Sequence, residues 1–135
     1  MQKDVYTRHI KNEENHWWFV ARREIIYSVI RSLKKNKLSI LDFGAGSGTN
    51  IKILTKLGSV DVYEVNPKMR SFLKTKFKKK SNVRIISKIT KKYNLILAAD
   101  VIEHIKNDKH VINNFYKFLK KNGHILVTVP AFNFL

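Results

Sequence analysis

The sequence predicts an α/β fold built on an open, mostly parallel sheet. Apolar segments of strand length alternate along the chain with segments in which apolar residues recur at helical spacing. Strands that alternate with helices form parallel sheets joined by right-handed crossovers. The chain has 135 residues, which is long enough for one domain with a single core. It has no cysteine, which rules out disulfides and thiolate metal sites.

The first predicted elements are a helix, a strand and a glycine-rich turn. The helix begins at Val20 and ends before the polar run Lys34–Lys37. Leu38–Leu41 is a short buried strand, and it leads directly into the turn Phe43–Gly48. The first helix has apolar residues at three- and four-residue spacing, namely Ile25, Ile26, Val29, Ile30 and Leu33.

A second helix, strand and helix follow the glycine-rich turn. The second helix is predicted over Thr49–Leu57, with Gly58 as its stop. Val60–Tyr63 is the second strand. Asn66 and Pro67 then form a good N-cap and first-turn pair for a helix that reaches Phe77.

The last part of the chain contributes three more strands and a helix. The strands are predicted at Val83–Ile86, Tyr93–Ala99 and His124–Val129. The helix begins at Asn107 or Asp108 and ends at Gly123, with an apolar stripe of Val111, Ile112, Phe115, Phe118 and Leu119. The runs Leu95–Ala99 and Ile125–Val129 are almost continuously apolar, which predicts strands covered on both faces.

The glycine-rich turn is the most informative motif. Glycine stands at alternate positions in Leu41-Asp42-Phe43-Gly44-Ala45-Gly46-Ser47-Gly48-Thr49, where a sharp turn and a close ligand approach require it. A dinucleotide-binding motif counted from Gly44 would need glycine at position 49, which is Thr49. Asp42 would also repel a pyrophosphate. The turn therefore favours a cationic ligand, such as one with an ammonium and a sulfonium, over NAD.

Further acids follow the second and fourth strands. Glu64 ends the second strand about twenty residues beyond the glycine turn, where a carboxylate can accept hydrogen bonds from both hydroxyls of a ribose. Asp100, Glu103 and His104 follow the fourth strand, at the sheet edge where open α/β sheets bind ligands. A helix-start and loop-packing role is an equally good interpretation of Glu103 and His104.

Together these motifs resemble bacterial class I S-adenosylmethionine-dependent methyltransferases over nearly the whole chain. Leu41–Thr49 is similar to their first motif, Glu64 to their ribose-binding acid, and Asp100–Ile105 to the segment after their fourth strand. Gly123–Pro130 resembles their fifth strand. His16–Phe19 with the two arginines that follow resembles the leading segment of one subgroup, in which the N-terminal region covers the cofactor.

The resemblance implies S-adenosyl-L-methionine as cofactor, a small molecule as methyl acceptor and no metal. The residues expected to bind the cofactor are Asp42, Gly44, Ala45, Gly46, Gly48, Glu64, Val65, Ser87, Asp100, Trp18 and Arg22. The family often has an acid or amide after the third strand for the adenine amino group, and Ser87 or backbone groups would serve here. Trp17 or Trp18 could close over the site or be a core aromatic. His104 and His16 are candidate general bases.

The resemblance also implies a Rossmann-like fold with strand order 3-2-1-4-5 and helices on both faces of the sheet. The usual C-terminal antiparallel strand pair is missing from the predicted elements. We expect one domain over residues 1–135, with residues 1–19 as an N-terminal cap segment and residues 20–135 as an incomplete core. The open sheet edge could pair with another chain and so form an oligomer.

The charge is strongly basic, with 27 lysines and arginines against 10 acids and a formal net charge of +17. Such an excess of positive charge is typical of proteins that bind nucleic acid, so nucleic acid is a candidate partner. The lysine runs, however, precede predicted strands and so lie opposite the expected site, which favours a solvated surface. The charge leaves an RNA methyltransferase as one alternative. The missing strand pair leaves a truncated, non-catalytic cofactor-binding protein as another. No signal peptide or membrane span is predicted, and the expected location is cytoplasmic.

Overall fold

A computed structural model describes residues 16–130 and contains a five-stranded sheet in the order β3-β2-β1-β4-β5. All four strand pairs are parallel, which confirms the predicted strand order and Rossmann-like topology. The strands are β1 (Leu38–Phe43), β2 (Gly58–Tyr63), β3 (Val83–Ile86), β4 (Tyr93–Ala99) and β5 (Leu119–Thr128).

Within residues 16–130, four α-helices connect or precede the strands, and two of them have the side-chain caps that their sequences predict. The helices are α1 (Trp17–Ser32), α2 (Ile51–Leu54), α3 (Pro67–Lys76) and α4 (Asp108–Phe115), with 3₁₀ turns at Ile102–His104 and Tyr116–Phe118. The Asn66 side chain accepts hydrogen bonds from the amides of Lys68 and Met69 at the start of α3. Asn107 caps α4 in the same way.

The sheet separates two apolar cores. On one face, buried side chains of α1, α2 and α3 pack against alternate residues of β1, β2 and β4. On the other face, Phe115 of α4 and Ile102 pack against the intervening strand residues. Burying these side chains stabilises the fold by about 25 cal/mol for each Å² of apolar surface removed from water.

The helix predicted over Thr49–Leu57 is wrong in extent, because only Ile51–Leu54 is helical. Gly58 pairs with Leu38 as the first residue of β2 instead of ending a helix. A Cβ atom on Gly58 would lie 1.8 Å from the Leu38 carbonyl oxygen, so glycine allows two backbones to approach within the sheet. The chain therefore leaves α2 early enough to enter β2 in this register.

The end of α4 and the start of β5 also differ from the prediction. Phe118 and Leu119 are not in the helix, and β5 begins at Leu119 instead of His124. Tyr93 pairs with Leu119, whereas Leu95 pairs with His124, so residues 120–123 form a bulge. At this bulge the Asn122 carbonyl accepts a hydrogen bond from Lys35 Nζ at 2.6 Å.

Burial of two predicted apolar stripes is only partial. In α1, Ile26 and Ile30 are buried, but Ile25 is 63% exposed and Val29 is 43% exposed. The prediction that the last strand is covered on both faces is wrong, since Val127 in β5 is 36% exposed. The reason is that β5 is an edge strand of the described sheet and has one neighbour, β4.

Two predictions about the whole chain concern more than the described residues. The single-domain organisation over residues 1–135 stays a prediction, and most of the predicted N-terminal cap segment lies outside the described residues. Helix α1 runs across the expected boundary at residues 19 and 20. Among the described helices, none combines the length and the apolar character that a membrane crossing requires.

Candidate functional site

A cleft of about 260 Å³ lies at the carboxyl edge of β1 and β4, beside the glycine-rich turn. It is formed where these two strands end, and α1 and the start of α2 provide its other walls. The lining residues are Phe19, Arg22, Asp42, Gly44, Ala45, Gly46, Ser47, Thr49, Asn50, Ala99 and Asp100. This is the crevice beyond the strand ends where open α/β sheets bind ligands.

Two glycines of the turn serve different purposes. Gly46 has a φ of +58° and open space where a Cβ atom would stand, so a ligand can approach its backbone closely. Gly48 has a φ of +79°, and a Cβ atom there would lie 2.8 Å from both Leu73 and Phe77. Gly48 therefore allows the turn to pack on α3, whereas Gly46 leaves room for a ligand.

Glu64 holds the turn from the end of β2. Its Oε2 atom accepts a hydrogen bond from the Gly46 amide at 3.3 Å, and its Oε1 atom accepts one from the Asn66 amide at 3.1 Å. Arg70 of α3 donates to the carbonyls of Glu64 and Val65, at 2.8 and 2.9 Å. A partly buried carboxylate is thus fixed beside the turn, and each oxygen retains capacity to accept a further hydrogen bond.

Asp42 places a buried carboxyl group under the cleft. Its side chain is 1% exposed, and Oδ2 has no hydrogen-bond partner among the described residues. Burial, together with the negative charge of Glu64, raises the pKa of Asp42 from 3.8 to about 7. The Oδ1 atom of Asn50, which lines the same cleft, also has no partner in the described part of the chain. A buried polar group without a partner is costly unless a ligand or water satisfies it.

Asp100 connects α1 to the ends of β4 and β5. Its carboxylate forms an ion pair with Arg22. Its amide donates to the Thr128 carbonyl at 2.9 Å, and the Thr128 hydroxyl donates to Asp100 Oδ1 at 3.1 Å. Asp100 has a φ of +53°, a conformation that costs a non-glycine residue about 1–2 kcal/mol. The contacts with Arg22 and Thr128 hold this strained residue at the wall of the cleft.

The structure brings together most of the predicted cofactor residues. Asp42, Gly44, Ala45, Gly46, Arg22 and Asp100 line the cleft, while Gly48 and Glu64 support the turn. Like Gly48 and Glu64, three other predicted residues lie outside the cleft lining. Val65 is 70% exposed and Trp18 is 51% exposed, and Ser87 lines a separate groove beside Phe43 and Tyr63.

Five lining residues were not predicted. Phe19 lies three residues before Arg22 on α1, and its ring is 5.3 Å from the Arg22 guanidinium carbon. Helical spacing from the predicted Arg22 could have identified Phe19. The others, Ser47, Thr49, Asn50 and Ala99, flank predicted residues in sequence, and nothing in their type distinguishes them.

The two histidines have different surroundings. His16 is the N-cap of α1, where its Nδ1 atom accepts a hydrogen bond from the Trp18 amide at 3.3 Å. The His104 side chain is 78% exposed and lies 3.7 Å from Glu103 Oε1. Neither histidine lines the cleft, and their roles as general bases stay predictions. Within residues 16–130, no group of three or more potential ligands is arranged to hold a metal ion.

The fold and the cleft define an α/β protein with a ligand site at its glycine-rich turn, and comparison with known families gives the class. Residues 14–134 match the model of a methyltransferase domain family. The chain belongs to this family, whose members use S-adenosylmethionine.

One similar curated protein is the ubiquinone biosynthesis O-methyltransferase of Pelagibacter ubique (strain HTCC1062), 31% identical over 104 residues. That match covers 70% of this chain and 43% of the relative, so the chain spans less than half of the relative's length.

Solved structures of similar fold include the N-methyltransferase NodS from Bradyrhizobium japonicum WM9 in complex with S-adenosyl-L-homocysteine. Its TM-score is 0.72 at 18% identity, over 92% of this chain and 70% of NodS. A putative sarcosine dimethylglycine methyltransferase from Galdieria sulphuraria has a TM-score of 0.74 at 19% identity, over 82% of this chain and 47% of that one. These likenesses show the fold.

Proposed function

We propose that the protein transfers a methyl group from S-adenosylmethionine to a small-molecule acceptor. One observation carries the proposal: a buried carboxyl group, Asp42, lies under a glycine turn whose Gly46 is open to the cleft and bonded to Glu64. Family membership supports the same reaction. The names of the similar proteins, which include an O-methyltransferase and a sarcosine dimethylglycine methyltransferase, support a small acceptor.

The cleft residues fit the charges of this cofactor. S-adenosylmethionine has an ammonium, a sulfonium and a carboxylate on its methionine part and a ribose with two hydroxyls. Asp42 and Asp100 would attract the cationic groups, and Arg22 would attract the carboxylate. The unpartnered oxygens of Asp42 and Asn50 could accept hydrogen bonds from bound ligand or water. Glu64 would accept hydrogen bonds from the ribose hydroxyls.

The adenine contacts are a separate part of the proposal. Val65 follows the ribose acid and is exposed, so it could lie against the adenine ring. Ser87 is exposed after β3 and could bind the adenine amino group. Closure of Trp18 over the cofactor would require its side chain to move from its exposed position on α1.

The chemical role of this chain would be mainly to orient the two reactants. When bound, the cofactor supplies an activated methyl group on sulfur. Holding the acceptor in line with that methyl group can lower the activation barrier by several kcal/mol. This contribution needs no ionisable catalytic residue. His104 or His16 would be needed only for an acceptor that must lose a proton.

Calorimetric titration tests the cofactor assignment. We expect the chain to bind S-adenosylmethionine and S-adenosylhomocysteine but not NAD. The variant Glu64→Ala should weaken binding by at least about tenfold, because it removes a charged hydrogen-bond acceptor. Glu24→Ala is the matched control, since it removes an exposed acid of α1 outside the cleft.

Two results would overturn the proposal at different levels. A folded chain that binds neither compound would remove the cofactor assignment. Tight binding without methyl transfer to any acceptor tested would indicate the alternative of a non-catalytic cofactor-binding protein. Membership of the family and the fold would stand in both cases.

Assembly and location stay predictions. The outer edge of β5 has no strand beside it among residues 16–130, and an unpaired edge can accept a strand from another chain. Sedimentation of the purified protein over a range of concentrations would show whether it forms dimers. A cytoplasmic location is proposed from the sequence and is tested by cell fractionation.

A further inference from the structure

A second cleft, of about 670 Å³, lies between α1, α2 and the segment that follows α3. Six basic side chains line it: Arg23, Lys52, Lys76, Lys78, Lys79 and Lys80. No aspartate or glutamate belongs to its lining, which consists of described residues. We call it the basic cleft. Like charges around one concavity repel each other, and a bound anion would relieve this repulsion.

The basic residues come from three separate elements that the fold brings together. Arg23 is on α1, Lys52 is on α2, and the remaining lysines are at or beyond the end of α3. Cations near the C-terminus of α3 complement the helix dipole, which accounts for Lys76. The dipole does not account for Lys52 on the other side of the same cleft.

Two lysines outside the basic cleft have polar partners in the described part of the chain. Lys91 lies 3.6 Å from Asp61, and Lys35 donates to the Asn122 carbonyl. By contrast, no carboxylate of the described residues forms an ion pair with Lys52 or with the run Lys78–Lys80. These four ammonium groups are therefore available to an anion.

We infer that the basic cleft binds the phosphate backbone of a single-stranded nucleic acid. Its cations are distributed along a concave surface, which suits successive phosphates better than one. One threonine in the lining, Thr49, adds a hydroxyl donor of the kind that contacts phosphate oxygens. The formal net charge of +17 would add long-range attraction for a polyanion.

The position of Arg23 on α1 argues against a lipid surface that Ile25 would enter. The exposed apolar residues of α1 that could enter a bilayer include Ile25 and Val29. At about 100° of rotation per residue, Arg23 points roughly 160° away from Ile25 around the helix. A flat membrane cannot contact both sides of one helix at once, whereas a strand in the cleft needs only the Arg23 side.

The inference goes beyond the proposed function and does not depend on it. The basic cleft shares Gly48 and Thr49 with the glycine turn, but none of its lysines lines the cofactor cleft. A nucleic acid could therefore bind whether or not the chain transfers methyl groups, and loss of cofactor binding would leave this inference standing.

Fluorescence anisotropy with a labelled 20-nucleotide oligouridylate tests the inference on the full chain. The test variant changes Lys52, Lys78, Lys79 and Lys80 to Gln. The control variant changes Lys109, Lys117, Lys120 and Lys121, which are also exposed, to Gln. Both variants lower the net charge by the same four units. Circular dichroism and S-adenosylhomocysteine titration would check that each variant is folded.

We expect the test variant to lose at least about tenfold in affinity at 0.15 M salt and the control to change by less than about threefold. The slope of log K against log salt should also fall in magnitude by roughly 2 to 3 for the four lost phosphate contacts. Equal losses in both variants would overturn the inference, because total charge would then explain the binding. Unchanged binding in the test variant would also overturn it.

Two further arms separate other anions. Inorganic phosphate at millimolar concentration should not displace the oligonucleotide, and displacement would reassign the cleft to a small phosphate ligand. The test variant and the original chain should bind with equal affinity to vesicles that contain one-third phosphatidylglycerol. Loss of vesicle binding in the test variant, with oligonucleotide binding unchanged, would reassign the cleft to a lipid headgroup.

Discussion

Two buried aspartates in neighbouring strands have opposite environments. Asp42 of β1 and Asp61 of β2 are 1% and 6% exposed, and they point to opposite faces of the sheet. Asp61 has a full set of partners: Arg84 donates to both of its oxygens, at 3.0 and 2.7 Å, and the Tyr93 hydroxyl donates at 2.6 Å. Asp42 has an oxygen with no partner in the described part of the chain.

The pKa values of the two carboxyl groups are shifted in opposite directions. Burial alone would raise the pKa of Asp61, but hydrogen bonds from Arg84 and Tyr93 and the charge of Lys91 lower it below 3.8. Burial without such partners raises the pKa of Asp42 to about 7. An acid with its own partners therefore stabilises the fold, whereas one without them is stabilised only when a ligand arrives.

The largest expected effect is on stability when Asp42 is changed to Asn. Since the folded chain holds the Asp42 proton far more tightly than the unfolded chain, raising the pH from 4 to 7 costs folding free energy. Asparagine does not titrate and escapes this cost. We expect Asp42→Asn to raise the free energy of unfolding at pH 8 by roughly 2–4 kcal/mol. Urea denaturation at pH 8 measures the gain.

The same variant should lose function while it gains stability. Cofactor affinity should fall by at least about tenfold because a negative charge facing a cationic ligand is lost. At pH 4, where Asp42 is protonated in the original chain as well, the stability gain should vanish. A variant that is less stable than the original chain at pH 8 would show that the ionised Asp42 carboxylate does not destabilise the fold.

Changing Asp61 to Ala should have the opposite effect on stability. It leaves the buried Tyr93 hydroxyl without its acceptor and removes an ion pair whose arginine is mostly exposed. We expect a loss of about 2–3 kcal/mol at pH 7, measured by urea denaturation. Because the lowered pKa of Asp61 gives stability that is lost as the pH falls through it, the loss should shrink below pH 4.

Two further variants test whether the loss comes from this network. Tyr93→Phe removes the hydroxyl alone and should cost about 1 kcal/mol. Glu24→Ala removes an exposed acid in the middle of α1 and should leave stability within about 0.5 kcal/mol of the original. Cofactor affinity of the folded Asp61→Ala chain should be unchanged, and a large decrease would mean that the two aspartates are not independent.

The pH dependence of cofactor binding is a smaller effect that comes from Asp42 alone. With a pKa of about 7, Asp42 is about one-tenth ionised at pH 6 and nine-tenths ionised at pH 8. A ligand that prefers the carboxylate should therefore bind roughly ninefold more tightly at pH 8. Calorimetry at the two pH values would measure this, and Asp42→Asn should abolish the dependence. A slope of equal size in the variant would assign it to another group.

The sequence predicted the sheet order and the position of most strands because each strand has a distinct apolar run between turn residues. It failed where tertiary pairing overrides local pattern. Gly58 has the features of a helix stop, but its close approach to Leu38 makes it the start of β2. Leu119 continues the stripe of α4, but the bulge opposite β4 draws it into β5.

The candidate site was predictable to the extent that its residues are carried by motifs. Asp42, the glycines and Glu64 follow from spacing along the chain. The partners that decide their chemistry come from distant segments, and no local pattern predicts them. The ion pair of Arg22 with Asp100 joins residues 78 positions apart, and the environment of Asp61 joins three strands. The sequence therefore assigned Asp42 to the site, but it could not predict the hydrogen-bond partners that give Asp42 and Asp61 opposite pKa shifts.

The smallest expected effect concerns His104, which is exposed and so differs from both buried aspartates. Its side chain is 78% exposed and outside the cofactor cleft, and Glu103 lies at 3.7 Å. We expect His104→Ala to change S-adenosylhomocysteine affinity by less than about twofold and stability by less than about 0.5 kcal/mol. Once an acceptor is identified, turnover at pH 6 to 9 decides the remaining question. Turnover that persists in His104→Ala would exclude this histidine as general base, whereas a loss of about 100-fold with unchanged cofactor affinity would establish that it acts on the acceptor.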